Sequence, residues 1–392
     1  MVGDMTRRHV LSRSLALGCT AAASPFVSSV SFAQTSGENR LVVIILRGGM
    51  DGIDVIRPFG DPNYSLARPT LASDPSRADL DGFFGLHPAF GGLMPLWDAG
   101  ELAAVHAVAT PYRNKRSHFD GQDLLEAGLT TLDSEHGGWL NRALQLVPGA
   151  EMRTAMGLGQ GVQRVLDGTA PAGHWAPDAD LSLSLETMER ARRVMSEETA
   201  FLNAFTQAEM LSSPVGGSGQ MAALHKGGMH VNIARYAADQ LQQDTRIVAF
   251  SLNGWDTHRD QRRGMAKAAE LLIEAILTLK RELRPDIWGQ TTVVTMSEFG
   301  RTVAENGSKG TDHGTGGVML LAGGAVRGGC VYGEWPGLDE AQLYDRRDLL
   351  PTADVREMTA WVLRASLGID AGDLERTVFP GLKLGRDPGL MM

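Results

Sequence analysis

The chain has 392 residues, 43% hydrophobic and 21% charged, with a formal net charge of −9. This is the composition of a globular protein with material for a large core, and it excludes an intrinsically disordered chain. The acidic balance, with no Arg/Lys stripe interleaved with aromatics, argues against a nucleic-acid partner; the two cysteines, Cys19 and Cys330, supply neither a disulfide framework nor a thiolate zinc site.

In chain order, the first predicted element is a targeting segment. Arg7 and Arg8 precede a modestly apolar run, and Ser31-Phe32-Ala33 offers a small-x-small cleavage site. Residues 1–33 therefore read as a twin-arginine-type signal, with the export machinery as a partner and the periplasm as destination. Residues 34–392 are expected to form one α/β domain with insertions. No later run of eighteen apolar residues occurs, so no stable membrane insertion is expected after cleavage.

The segment LVVIIL (Leu41–Leu46) is short, β-branched and stopped by RGGMDG, which predicts a fully buried strand. Residues 58–86, rich in Pro, Asp and Gly, read as an irregular insertion. AAVHAVAT (Ala103–Thr110) predicts a second strand, with a helix starting near Ser117–Asp120. Helical patterns run through 183–243, broken at PVGGSGQ. TRIVAFSL (Thr245–Leu252) is a strand, followed by a helix striped by Met265, Ala268, Leu272, Ile276, Leu279 and Leu283. TTVVTM (Thr291–Met296) and VMLLAGG are further strands, and Asp354 with Glu357 has the spacing of a capping box opening a last helix. Alternating strands and helices predict a three-layer α/β/α sandwich around a large, mostly parallel sheet.

Four predicted strands run into RGGMDG, RSHFDGQ, NGWDTH and SEFGR, each placing acids or histidines just beyond a strand's carboxyl end. That edge is where open α/β sheets bind ligands. Parallel packing would let Asp51, His118, Asp120, Asp256, His258, Glu298, Asp312 and His313 converge. Mixed carboxylate and imidazole donors suit a divalent metal: zinc first, with manganese, iron, calcium or magnesium as alternatives. Asp256 and His258 straddle Thr257, so an extended segment shows both on one face. Asp312 and His313 are adjacent and need their glycine-rich loop to turn the same way.

Each residue also has a plainer role open to it. Asp51, Asp54 and Asp120 can cap helices, and Glu298 can answer a helix dipole. His106, His136, His174 and His230 read mainly as local hydrogen-bonders, and His87 lies in the irregular insertion, with a site role open to it. Arg47 and Arg301 are candidate anion clamps. Ser117, where strand gives way to helix, is the candidate nucleophile, with water activated by the ion as the alternative. No GxSxG and no GxGxxG after the first strand are present, which disfavours a serine esterase and a dinucleotide enzyme.

In this order, LRGGMDG, RSHFDGQ, NGWDTH and SEFGRTVAENGSKGTDHG resemble the bacterial family catalogued as domain of unknown function 1501. That family is similar, at a distance, to the alkaline phosphatase and sulfatase superfamily of metal-dependent ester hydrolases. The resemblance implies that Asp51 is the metal-binding acid after the first strand and that Ser117 lies in the nucleophile's region. It also implies that Asp256 and His258 are ligands after a later strand. Glu298 stands where that superfamily commonly carries an Asp-His pair, and Asp312-His313 comes later, which implies one metal or a substituted ligand. The expectation is an exported metal-dependent hydrolase of a phosphate or sulfate ester, with Ser117, His118, Arg301 and Arg47 catalytic and Asp51, Asp256, His258, Glu298, Asp312 and His313 on the metal. The alternative is a non-catalytic periplasmic binding or assembly protein on the same scaffold, engaging an anionic envelope polymer.

Overall fold

Strand β1 (Arg40–Arg47) shows why the apolar run folds as it does: Leu41–Leu46 are at most 1% exposed, and successive side chains enter different cores. Val42, Ile44 and Leu46 pack with residues of helices α3 (Met229–Leu241) and α4 (Gln261–Glu282). Leu41, Val43 and Ile45 pack with residues of α2 (Trp139–Leu144) and α5 (Val355–Leu367). A strand buried on both faces loses the alternation of a half-exposed one and reads as a continuous apolar run. The computed structural model describes residues 38–73, 78–113, 116–132, 136–161, 163–177 and 228–392. The expected signal segment and the helical patterns before residue 228 lie outside them.

The remaining strands of the large sheet are β2 (Leu102–Ala109), β3 (Ala155–Leu158), β4 (Gly173–Trp175), β5 (Ile247–Asn253), β6 (Thr291–Met296), β7 (Gly317–Ala322), β8 (Cys330–Tyr332) and β9 (Ala353–Asp354). Their order is β8-β2-β7-β6-β1-β5-β3-β4, with β9 also pairing β2. Every pairing is parallel except those of β7, which runs against both β6 and β2. The result is a mixed α/β fold, a large sheet flanked by helices on both faces.

The reversal of β7 matters for function. The amino end of an antiparallel strand lies at the edge where its parallel neighbours finish, so the loop preceding β7 joins the loops following β1, β5 and β6. Helix α1 (His118–Ala127) begins at this same edge after β2.

Two local expectations change. The 58–86 segment is not wholly irregular: it holds a helical turn at Tyr64–Ala67 and strands Ala78–Asp79 and Gly85–Leu86, which form a small sheet with Ile56–Arg57. Asp354 does cap α5, accepting from Arg356 N, but Glu357 accepts from Gly385 N at 2.9 Å instead of closing a capping box. The short strands β3, β4, β8 and β9 were too brief to impose a period on the sequence.

Candidate metal centre

Asp256 and His258 follow β5, His313 precedes β7, and His118 is the first residue of α1. The loop after β1 passes between them at close range: a Cβ on Gly48, whose φ is +122°, would stand 2.5 Å from Asp256 N. Only glycine accepts both that φ and that approach. Beneath the cluster lies Phe299, its ring centroid 5.0 Å from that of His118 and 4.9 Å from that of His313.

The three imidazoles share one orientation. His118 directs Nδ1 to Glu298 Oε1 at 2.7 Å, His258 directs Nδ1 to Asp312 Oδ1 at 3.1 Å, and His313 directs Nδ1 to the carbonyl of Arg116 at 3.0 Å. Each outward partner is an acceptor, so each Nδ1 carries a proton, and in the neutral imidazole Nε2 then presents its lone pair inward. Those Nε2 atoms face Asp256 Oδ1 at 3.5 Å from His118, 3.1 Å from His258 and 3.4 Å from His313. His258 Nε2 and His313 Nε2 lie 2.9 Å apart, and His118 Nε2 is buried with no hydrogen-bond partner among the described residues. Ring nitrogens converging on one carboxylate oxygen make a geometry that a cation suits. One ligand atom each from His118, Asp256 and His313 lies within 4.8 Å of the other two, a plausible metal-coordinating triad with His258 beside it.

Two buried residues hold the triad in place. Glu298 is inaccessible to solvent; Oε1 accepts from Gly48 N, His118 Nδ1 and Gln122 Nε2, and Oε2 accepts from Ser297 Oγ. Burial pushes its carboxyl up, but these donors outweigh burial and hold it below the usual range. The hydrogen bond to Glu298 raises His118 in turn. Arg301, also buried, gives its guanidinium to the carbonyls of Gly48, Gly49, Trp255 and Thr311 and to Asp256 Oδ1 at 2.6 Å. Burial pushes Asp256 up, and the Arg301 hydrogen bond and charge bring it below the usual range. His313 is lowered chiefly by burial, and Asp312 is lowered chiefly by a hydrogen bond from Asn306.

Other expected site residues serve elsewhere. Asp51 does not face the triad with a free oxygen: Oδ1 caps the turn Gly52–Val55 through Asp54 N, and Oδ2 takes Arg68 at 2.8 Å and Gln261 at 2.7 Å, with the Thr311 hydroxyl 3.2 Å away. Arg47 pairs with Gln122 and Glu126 at 2.8 and 2.7 Å, and Arg301 with main-chain carbonyls and Asp256. Ser117 is the N-cap of α1, its Oγ accepting from Asp120 N at 3.4 Å. Asp54 binds Arg57 and Gln261, with His87 3.9 Å away. His230 pairs with Glu274, His106 lies inside β2, His174 is on β4, and His136 lends its carbonyl to Arg142. The sequence reading missed Gln261, Asn306 and Phe299; uncharged side chains carry no chemical signature, and only their three-dimensional neighbours reveal them.

Residues 130–376 match the family model described as "Protein of unknown function (DUF1501)", a span that holds Asp256, His258, Glu298, Asp312 and His313. No curated protein matches the chain. Among solved structures, it is similar to Ps i-CgsB in complex with k-i-k-neocarrahexaose, with TM-score 0.41, 12% identity, and coverage of 87% of this chain and 75% of that one. It is also similar to the C-terminal periplasmic domain of EcEptC from Escherichia coli in complex with Zn, with TM-score 0.36, 10% identity and coverage of 74% of each chain. A third is a TAB5 alkaline phosphatase mutant with Mg bound, with TM-score 0.35, 8% identity, and coverage of 75% of this chain and 93% of that one.

Proposed function

The chain belongs to the DUF1501 family of proteins of unknown function, and from that premise we propose that it is an exported, metal-dependent hydrolase of phosphate or sulfate esters. The observation that carries this reading is the inward turn of three imidazole Nε2 atoms on Asp256 Oδ1, with His118 Nε2 buried and without a hydrogen-bond partner among the described residues. A nitrogen-rich donor set with one carboxylate fits zinc, and fits poorly the all-oxygen cages that calcium and magnesium prefer. Glu298 behind His118 matches the outer carboxylate that commonly fixes a metal-binding histidine.

In this reading His118, Asp256 and His313 hold the ion, and His258 stands beside them as a fourth donor. When bound, the ion supplies Lewis acidity that neutralises charge on the ester oxygens. Glu298 and Arg301 set the direction of His118 and Asp256 and keep both rigid. Ser117 remains the nucleophile candidate: it precedes His118 in sequence, and as an N-cap its oxygen accepts a hydrogen bond while its proton stays available. The helices on the two faces of the sheet form the outer layers of a three-layer sandwich. The leader reading of residues 1–33 supports export to the periplasm, where a small anionic ester or an anionic envelope polymer would be the substrate.

The test is metal analysis of protein purified without chelator, followed by turnover assays on aryl phosphates, phosphodiesters and aryl sulfates. We expect one zinc-like ion per chain and release of product from at least one ester class, both lost in His118→Ala with His313→Ala. An ion held without turnover on any ester supports instead the binding-protein reading. Folded wild-type protein that takes up no divalent ion overturns the proposal.

A further inference from the structure

Gln261 is the first residue of α4, fully buried, and uses all the hydrogen-bonding capacity of a primary amide. Its Nε2 donates to Asp51 Oδ2 at 2.7 Å and to Asp54 Oδ2 at 2.8 Å. Its Oε1 accepts from Thr257 Oγ1 at 3.0 Å and from Thr311 Oγ1 at 2.6 Å. Two protons and two lone pairs are all engaged, the maximum for this side chain.

What the four partners belong to gives the arrangement its meaning. Thr257 lies between Asp256 and His258, and Thr311 lies two residues before His313. Asp51 and Asp54 belong to the turn that follows β1. One amide thus ties together three loops, two of which carry the donors of the metal centre. The backbone supports the same union: Thr311 N donates to Thr257 O at 3.2 Å, and Gln261 N donates to Lys309 O at 2.9 Å. A Cβ on Gly310 would stand 2.4 Å from the His258 carbonyl, so the loops meet main chain to main chain. Asp260, just before Gln261, takes the left-handed conformation at φ +43°, a costly choice for a non-glycine residue. That backbone turn delivers Gln261 inward at the very start of α4.

We infer that Gln261 is a positioning residue of the metal centre: through the Thr257 and Thr311 hydroxyls it fixes the distance between the Asp256–His258 and Asp312–His313 loops, and so sets the affinity for a divalent ion. This rests on the metal-centre reading above. It assigns Asp51 and Asp54 to the same task, as the carboxylates that orient the Gln261 amide. A plain packing role predicts something different, namely lower stability with unchanged affinity of the folded protein for metal.

The experiment measures zinc(II) affinity by competition with a chromophoric chelator, alongside thermal unfolding, on the full chain. Gln261→Met removes all four hydrogen bonds at similar length, and we expect at least a tenfold weaker zinc complex. Arg142→Met is the control, because Arg142 anchors the carbonyls of Ala127, Thr377 and Val378 far along the chain from these loops. It should lower the unfolding temperature and leave zinc affinity within about twofold, as expected of a site that shares no partner with the two loops Gln261 joins. Should Gln261→Met fail to fold, Thr311→Val and Thr311→Ser decide: Val should weaken zinc binding and Ser, which keeps the hydroxyl, should restore it. Folded Gln261→Met, or Thr311→Val in its place, binding zinc as tightly as wild type overturns the inference and leaves the metal centre standing. Wild type that binds no zinc or other divalent ion overturns the metal centre and the inference with it.

Discussion

At the scale of single residues, the centre depends on side chains that never touch an ion. Glu298 fixes the tautomer of His118, so Glu298→Gln, which places an amide where four donors converge, should weaken metal binding by about 10–100-fold, the usual cost of losing such an outer partner. A chelator competition titration checks this. His106 gives a pH prediction away from the centre. Its Nδ1 accepts from Ala107 N at 2.8 Å and its Nε2–H donates to Ile56 O at 3.0 Å, so the fold holds it neutral. Burial depresses it from 6.5 to about 4, while the nearby charges of Asp51 and Arg68 act in opposite directions. The unfolded chain therefore takes up this proton first. The contribution is complete above pH 6.5 and is lost as pH falls toward about 4, on the order of 3 kcal/mol in total. Urea unfolding at pH 7 and pH 4.5 should show a steeper acid loss for wild type than for His106→Gln. His118, the third member of the candidate triad, was expected to be catalytic; Asp256 and His313 were legible as its other members because their spacing and loops left few other uses. Asp51 was not, because its buried partner Arg68 lies 17 residues away and nothing local to GGMDG announces it.

At the scale of elements, the long apolar strands and the α4 stripe were legible because burial on one or both faces imposes a period on the sequence. The helix start at Ser117 was legible too, and there the plain and the chemical roles of one hydroxyl can be separated. Ser117→Ala removes the cap and should cost about 0.5–2 kcal/mol, while Ser117→Gly should cost only a few tenths. That unequal stability loss with full turnover in both would leave Ser117 as a cap alone. Loss of turnover in the well-folded glycine variant is the outcome we expect, and a steady-state assay beside a urea titration reads both.

At the scale of the whole molecule, the centre is built by five consecutive strands of the sheet, β2-β7-β6-β1-β5, whose loops meet at one edge. Loops that come together only in the folded state bind an ion only in the folded state, so metal and stability are linked. Removing the ion should lower stability by about 2.7 kcal/mol relative to protein held at a hundred times the dissociation constant. Thermal unfolding with and without chelator should show that loss, and re-addition of zinc should reverse it. The sequence by itself determined the α/β class, the edge of the sheet where polar residues gather, and two members of the candidate triad, Asp256 and His313, because hydrophobic period and loop chemistry are local properties. The tertiary structure alone decided which carboxylates face the centre and which are spent on buried arginines and amides. It also decided that β7 runs backwards, which brings the TDHG loop to the edge where the parallel strands end. Strand direction and buried pairing are set by contacts between residues far apart in the chain, and no local pattern records them.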